Sequence, residues 1–120
     1  MLEWLWAEVR RVRNTAVWSW QGWQSAWSQE KSLRQWTLAN ALSAAAAFAL
    51  DLGGAERAVI IGFGLLVLVA ELVNTAIEEV VDYISTDIHP RAKRAKDCGS
   101  AAVAVTALAA GAAWVVVLIG

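Results

Sequence analysis

Glu71, Asn74, Glu78 and Asp82 follow one another at intervals of three, four and four residues. On a helix that spacing puts all four on one face, the stripe that apolar side chains normally occupy. Their surroundings are apolar. Ala58–Ala70 contains no charge, and Leu72, Val73, Ala76, Ile77, Val80 and Val81 continue the run. An ionisable side chain at the centre of a membrane helix costs roughly 3 kcal/mol, so a stripe of them must face a protein interior or a polar cleft. There its carboxylates can be paired, hydrated or metal-bound, or form a polar seam that fixes an oligomer. Glu79 is off this face and is expected toward the aqueous surface.

Depth separates the carboxylates. Measured along a helix from Arg57, Glu71 lies about 21 Å in and Glu78 about 31 Å, against a hydrocarbon core of roughly 30 Å. Glu71 is thus still within the hydrocarbon, while Glu78 stands at its boundary. One end of the stripe can meet a lipid headgroup and the other a water-soluble anion with its metal. Glu30, just before the first apolar stretch, is expected at the depth of Glu78. Two carboxylates plus nucleotide phosphates are a usual Mg²⁺ environment.

Positive and phosphate-handling groups follow at Arg94, Lys96, Asp97, Gly99 and Ser100, where the last apolar run begins. A lysine at that mouth can hold phosphate as a point charge or simply anchor the helix at the membrane surface. His89, before Pro90, is either a loop residue near a nucleotide or plain surface. No Walker loop and no protein-kinase signature occurs, and Cys98, the single cysteine, reads as a small packing residue. With a net charge of −1 and no basic stripe, nucleic acid is excluded as a partner.

The elements that position these groups are helices in a membrane. Of the 120 residues 58% are hydrophobic, which calls for one membrane domain. Three spans are expected, at about residues 36–50, 58–84 and 94–119, preceded by one or two surface helices over residues 1–35. Met1–Val12 could form a helix of its own. Trp20, Trp23 and Trp27 share one face, with Gln21, Gln24, Ser28 and Gln29 opposite, as suits an amphipathic helix at headgroup depth. Gly62 and Gly64 lie in an apolar run and are expected at helix contacts rather than in a phosphate loop. Met1–Trp6 is too short for the apolar part of a cleavable signal, so the helices themselves are expected to target the membrane.

Glu71-Leu-Val-Asn74-Thr-Ala-Ile-Glu78-Glu-Val-Val-Asp82 followed by Arg94-Ala-Lys96-Asp97-Cys-Gly99-Ser100 resembles the signature of the prokaryotic diacylglycerol kinases. Trp18-Ser19-Trp20, Gly22, Ala26-Trp27, Glu30 and Arg34 resemble it too, so the likeness spans about Arg11 to Gly120. It implies an all-α homotrimer in the bacterial inner membrane, with a surface helix and three transmembrane helices per subunit and sites shared between subunits. It implies transfer of the γ-phosphoryl of ATP to a lipid hydroxyl, with Mg²⁺ as cofactor. By the same resemblance Glu71 is the general base, and Glu30 and Glu78 hold Mg²⁺. Arg11, Ser19, Asn74, Lys96 and Asp97 handle phosphates, Asp87 and His89 lie near the adenine, and Asp82, Arg34 and Ser100 brace the polar cleft. Lys93, Trp18 and Trp36 depart from the family pattern, in the nucleotide loop and on the lipid-facing surface.

Diacylglycerol is the expected acceptor, with undecaprenol as the alternative within the same chemistry; a non-enzymatic channel or proton path lined by Glu71 is the alternative from another class. Orientation follows from Lys and Arg. Arg10, Arg11, Arg13, Lys31 and Arg34 precede the first span, and Arg91, Lys93, Arg94 and Lys96 lie between the last two. The connection Asp51–Arg57 carries only Arg57. The N-terminus and active site are therefore cytoplasmic. In a Cys98→Ser background, cysteines placed at residues 51–54 should react with an impermeant thiol reagent from outside the cell. Those at residues 91–93 should react only after the membrane is opened; labelling of residue 53 from the cytoplasm would overturn the three-span arrangement.

Overall fold

The computed structural model describes residues 1–120 as four helices: α1 (Leu2–Gln29), α2 (Lys31–Ala49), α3 (Gly54–Ile84) and α4 (Pro90–Ile119). α1 is one uninterrupted helix, not a separate Met1–Val12 helix followed by a second. The reason is local: no proline and only one glycine, Gly22, occurs in it. Leu2, Leu5, Val9, Trp20 and Trp27 recur along one face and are exposed, and Trp23 stacks on Trp27 with ring centroids 5.9 Å apart. This is an unpaired amphipathic face about 40 Å long.

The chain breaks at Glu30, which is extended (φ −106°, ψ 105°). Its N–H still closes the last turn of α1 onto the Ala26 carbonyl at 2.7 Å. The Arg34 guanidinium donates to the Trp27 carbonyl at 2.5 Å, a cationic cap on the negative end of the helix dipole. α2 therefore begins at Lys31. Residues 31–35, expected in the surface segment, belong instead to the helix that carries the first apolar stretch.

α3 is the central element, packed along α4 and α2 and lightly against α1. Its buried line is Ile60, Gly64, Val67 and Glu71, spaced four, three and four residues apart. The polar stripe continues that same packed line toward the end of the helix. At the opposite end, Arg57 donates to the carbonyls of Ala47 (2.8 Å) and Leu50 (3.1 Å) and sits 5.7 Å from the Phe48 ring, which fixes the α2–α3 connection. Trp114 Nε1 donates to Ser43 Oγ at 2.8 Å, tying α4 to α2.

α3 and α4 are long and apolar enough to cross a membrane. α2 is 19 residues long, about 28 Å, but is less apolar than either. Only nine of the 120 residues are buried. So small a core does not hold a domain together in water, and the exposed Leu65, Val69, Leu108 and Val116 belong against lipid or protein.

The two glycines of the Gly62-x-Gly64 pair separate in role. Gly62 faces open space, whereas a Cβ on Gly64 would collide with the Asn40 side chain of α2. Asn40 would have to swing away and give up the bond from its Nδ2 to the Trp36 carbonyl. Gly64→Ala should cost about 1–3 kcal/mol, and Gly62→Ala less than about 0.5 kcal/mol. Thermal unfolding of the two variants in the same detergent checks the difference; equal midpoints would contradict this packing.

Candidate functional site

Along α3 the polar stripe runs from dry to wet. Glu71 is buried at 6% exposure, Asn74 and Glu78 are half-buried, and Asp82 is exposed. Burial within the chain thus falls along the stripe from Glu71 to Asp82. Each member has a partner. Ser32 Oγ, from the first turn of α2, donates to Glu71 Oε2 at 3.1 Å. Asn74 Nδ2 donates to Glu78 Oε1 at 3.4 Å. Lys96 Nζ, from α4, donates to Asp82 Oδ1 at 2.6 Å.

Asn74 is held by a close approach. A Cβ on Gly99 of α4 would overlap Asn74 Oδ1, so only glycine lets the two helices meet at this level. That oxygen is enclosed and accepts no hydrogen bond. An orphaned acceptor beside a carboxylate is a place where a donor or cation would be welcome.

Beyond Asp82 lies the connection between α3 and α4. The α3–α4 connection folds over a cavity of about 280 Å³ lined by Asp82, Asp87, His89, Lys93, Lys96 and Asp97. Five residues assigned to the site from the sequence thus share one cavity. Pro90 is the first residue of α4, where its missing N–H is not needed. His89 Nδ1 caps the helix by accepting from the Arg91 N–H at 3.1 Å. The Asp87 N–H donates to Ser85 Oγ, closing the turn. Lys93 donates to Asp97 one turn on. That hydrogen bond, with the Asp97 charge, holds the Lys93 ammonium above the ordinary lysine value. It stays charged through neutral pH.

Other expected members stand apart. Arg11 pairs with Glu8 on exposed α1 at 2.6 Å and lies 19 residues, about 28 Å, up the helix from Glu30. Ser19 donates to the Thr15 carbonyl and lines a separate groove between α1 and α3, together with Gln29 and Glu79. Glu79 is exposed as expected, but it opens onto that groove. Arg34 serves the α1–α2 break, and Ser100 is exposed on α4 beside Gly99.

A metal can be weighed against the donors. No group of three or more His, Cys, Asp or Glu converges within the chain. Glu30, half-buried at the α1–α2 break, and Glu78 offer hard oxygen donors only. This fits Mg²⁺ arriving with nucleotide phosphates, since that ion keeps one or two carboxylates and fills its shell from phosphate and water. It does not fit a stand-alone zinc or calcium centre.

Ser32 and Arg57 were not singled out from the sequence as partners of anything, and Gly99, grouped there with the phosphate-handling residues, is instead the contact point for Asn74. Ser32 had one signal: it is a hydroxyl near the depth of the stripe, two residues past Glu30.

A family model described as prokaryotic diacylglycerol kinase matches residues 17–118. The diacylglycerol kinase of Pseudomonas aeruginosa is 39% identical over 112 residues, covering 93% of this chain and 91% of its own. The Escherichia coli (strain K12) diacylglycerol kinase is 38% identical over 108 residues, covering 90% and 88%. That of Helicobacter pylori (strain 26695) is 34% identical over 99 residues, covering 78% and 73%.

Proposed function

The chain belongs to the prokaryotic diacylglycerol kinase family, and from that premise we propose that it phosphorylates diacylglycerol with MgATP, giving phosphatidic acid. The observation that carries the reading is Glu71, a buried carboxylate on the packed line of α3 from which polar groups lead out to the Lys96–Asp97 mouth. A membrane alcohol reaches the inner end of that line; a soluble nucleotide reaches the outer end. One helix joins the two substrates.

The chemistry asks mostly for positioning and charge neutralisation. Glu71 takes the proton of the lipid hydroxyl as its oxygen attacks the γ-phosphorus. The bond from that phosphorus to the β–γ bridging oxygen breaks, and ADP leaves with the electron pair. Lys96 and the Asn74 amide neutralise charge on the phosphoryl oxygens. Asp82 now holds Lys96, and exchanging that carboxylate for phosphate brings the ammonium to the nucleotide. Asp87 and His89 border the base, with Ser19 and Arg11 reaching phosphate from α1 and Arg34 and Ser100 bracing the cleft. Glu30 and Glu78 would hold Mg²⁺, which supplies charge neutralisation on the phosphates when bound.

The same reading makes the molecule a homotrimer with three spans per subunit in the inner membrane, N-terminus and active site cytoplasmic. Two observations support it. The outward faces of α3 and α4 expose Leu65, Val69, Leu108 and Val116, and Arg11 and Glu30 lie too far apart on one chain to share a nucleotide.

The roles of the two glutamates separate in kinetics. Glu71→Gln should lower kcat by about 10³-fold or more while the apparent constants for ATP and Mg²⁺ stay within about threefold. Glu78→Gln should raise both apparent constants by about tenfold or more. Loss of MgATP binding in Glu71→Gln with normal binding in Glu78→Gln would exchange the assignments.

A further inference from the structure

We propose that Ser32 is a positioning residue for Glu71, engaging Oε2 so that Oε1 is the oxygen presented to the lipid alcohol. The proposal rests on Glu71 being the general base. It adds the device that aims it.

The hydroxyl is free for this task because of where α2 starts. Thr15, Ser19, Thr37 and Thr106, inside helices, each donate to the carbonyl four residues behind. That is the usual fate of a helical hydroxyl. Ser32 is the second residue of α2, and the break at Glu30 removes the carbonyl it would otherwise take. Its proton goes instead across 39 residues of sequence to α3, at 3.1 Å from Glu71 Oε2. The other oxygen, Oε1, accepts no side-chain hydrogen bond.

Burial gives this single bond its weight. At 6% exposure Glu71 has little water to replace a lost donor. The terminal torsion of a glutamate is broad, so without Ser32 the carboxylate plane is set only by packing. A misaimed base is a slow base, because transfer needs near-contact and alignment. The bond also survives the reaction. When Oε1 carries the proton, Oε2 is a carbonyl oxygen and still accepts from Ser32. Nothing on α2 has to move as the proton comes and goes.

The Glu30 break thus has two uses. It places a metal ligand at the interface, and two residues later it releases a hydroxyl to hold the base. Ser32 touches neither nucleotide nor lipid in this arrangement, so its removal should affect turnover and leave binding alone.

The test uses full-length protein in mixed micelles, with Ser32→Ala, Ser32→Thr and Glu71→Gln compared for kcat, both KM values and thermal midpoint. Ser32→Ala should lower kcat about tenfold with the KM for MgATP and for diacylglycerol within about twofold of the starting protein. Ser32→Thr, which keeps the hydroxyl, should recover most of the rate. If Glu71→Gln collapses turnover while Ser32→Ala keeps it, the proposal is overturned and the assignment of the base stands. A Ser32→Ala loss that threonine does not recover, or that appears in KM instead of kcat, also overturns it. Full turnover by Glu71→Gln would sink the base assignment and this proposal together.

Discussion

A carboxylate on the packed face of an apolar helix can exist only where the helices around it supply something better than lipid. Glu71 sits in register with Ile60, Gly64 and Val67 on the one buried line of α3. The arrangement of the other helices follows from that placement. α2 must come close enough to offer Ser32, which it does through the Asn40–Gly64 contact. α4 must close over Asn74, which Gly99 permits. The two glycine–asparagine contacts lie on either side of Glu71 along α3, so the close approaches that bury the carboxylate also partner it. Breaking a partnered buried charge is far more costly than never having built one, and this binds the fold to the chemistry.

Beyond Asn74 the demand relaxes, because the side chains are less enclosed: Glu78 is half-buried and Asp82 exposed. Asp82–Lys96 and Lys93–Asp97 are exposed pairs and contribute little to stability. Their use is electrostatic. They keep two cations at the mouth of a cleft whose walls carry Asp82 and Asp97, and under the proposed function an incoming polyphosphate would find positive charge already in place. The stripe is thus graded in two properties together: dryness falls and charge density rises from Glu71 to the loop.

Much of this was legible in the sequence. The interval of three, four and four gave the polar face, because α3 runs without a break from Gly54 to Ile84. Asp82, Asp87, His89, Lys96 and Asp97 do share a cavity. What local pattern could not show were contacts between helices. Ser32 meets Glu71 across 39 residues and Trp114 meets Ser43 across 71. Gly62 and Gly64 look alike in an apolar run, and only the neighbouring helix distinguishes them. α2 begins at Lys31, five residues before the first apolar span was drawn, because Lys31, Arg34 and Gln35 belong to the helix without being apolar. α1 was expected in up to two pieces, although no residue in it stops a helix.

The central claim is that this polar line joins a membrane alcohol to a soluble nucleotide. The most direct measurement is ATP turnover by the purified protein in mixed micelles containing Mg²⁺, with and without diacylglycerol, following ADP and phosphorylated lipid together. The account predicts that ADP release depends on diacylglycerol and that each ADP is matched by one phosphatidic acid. ADP formed at the same rate without lipid, or no phosphorylated lipid when diacylglycerol is present, would contradict it.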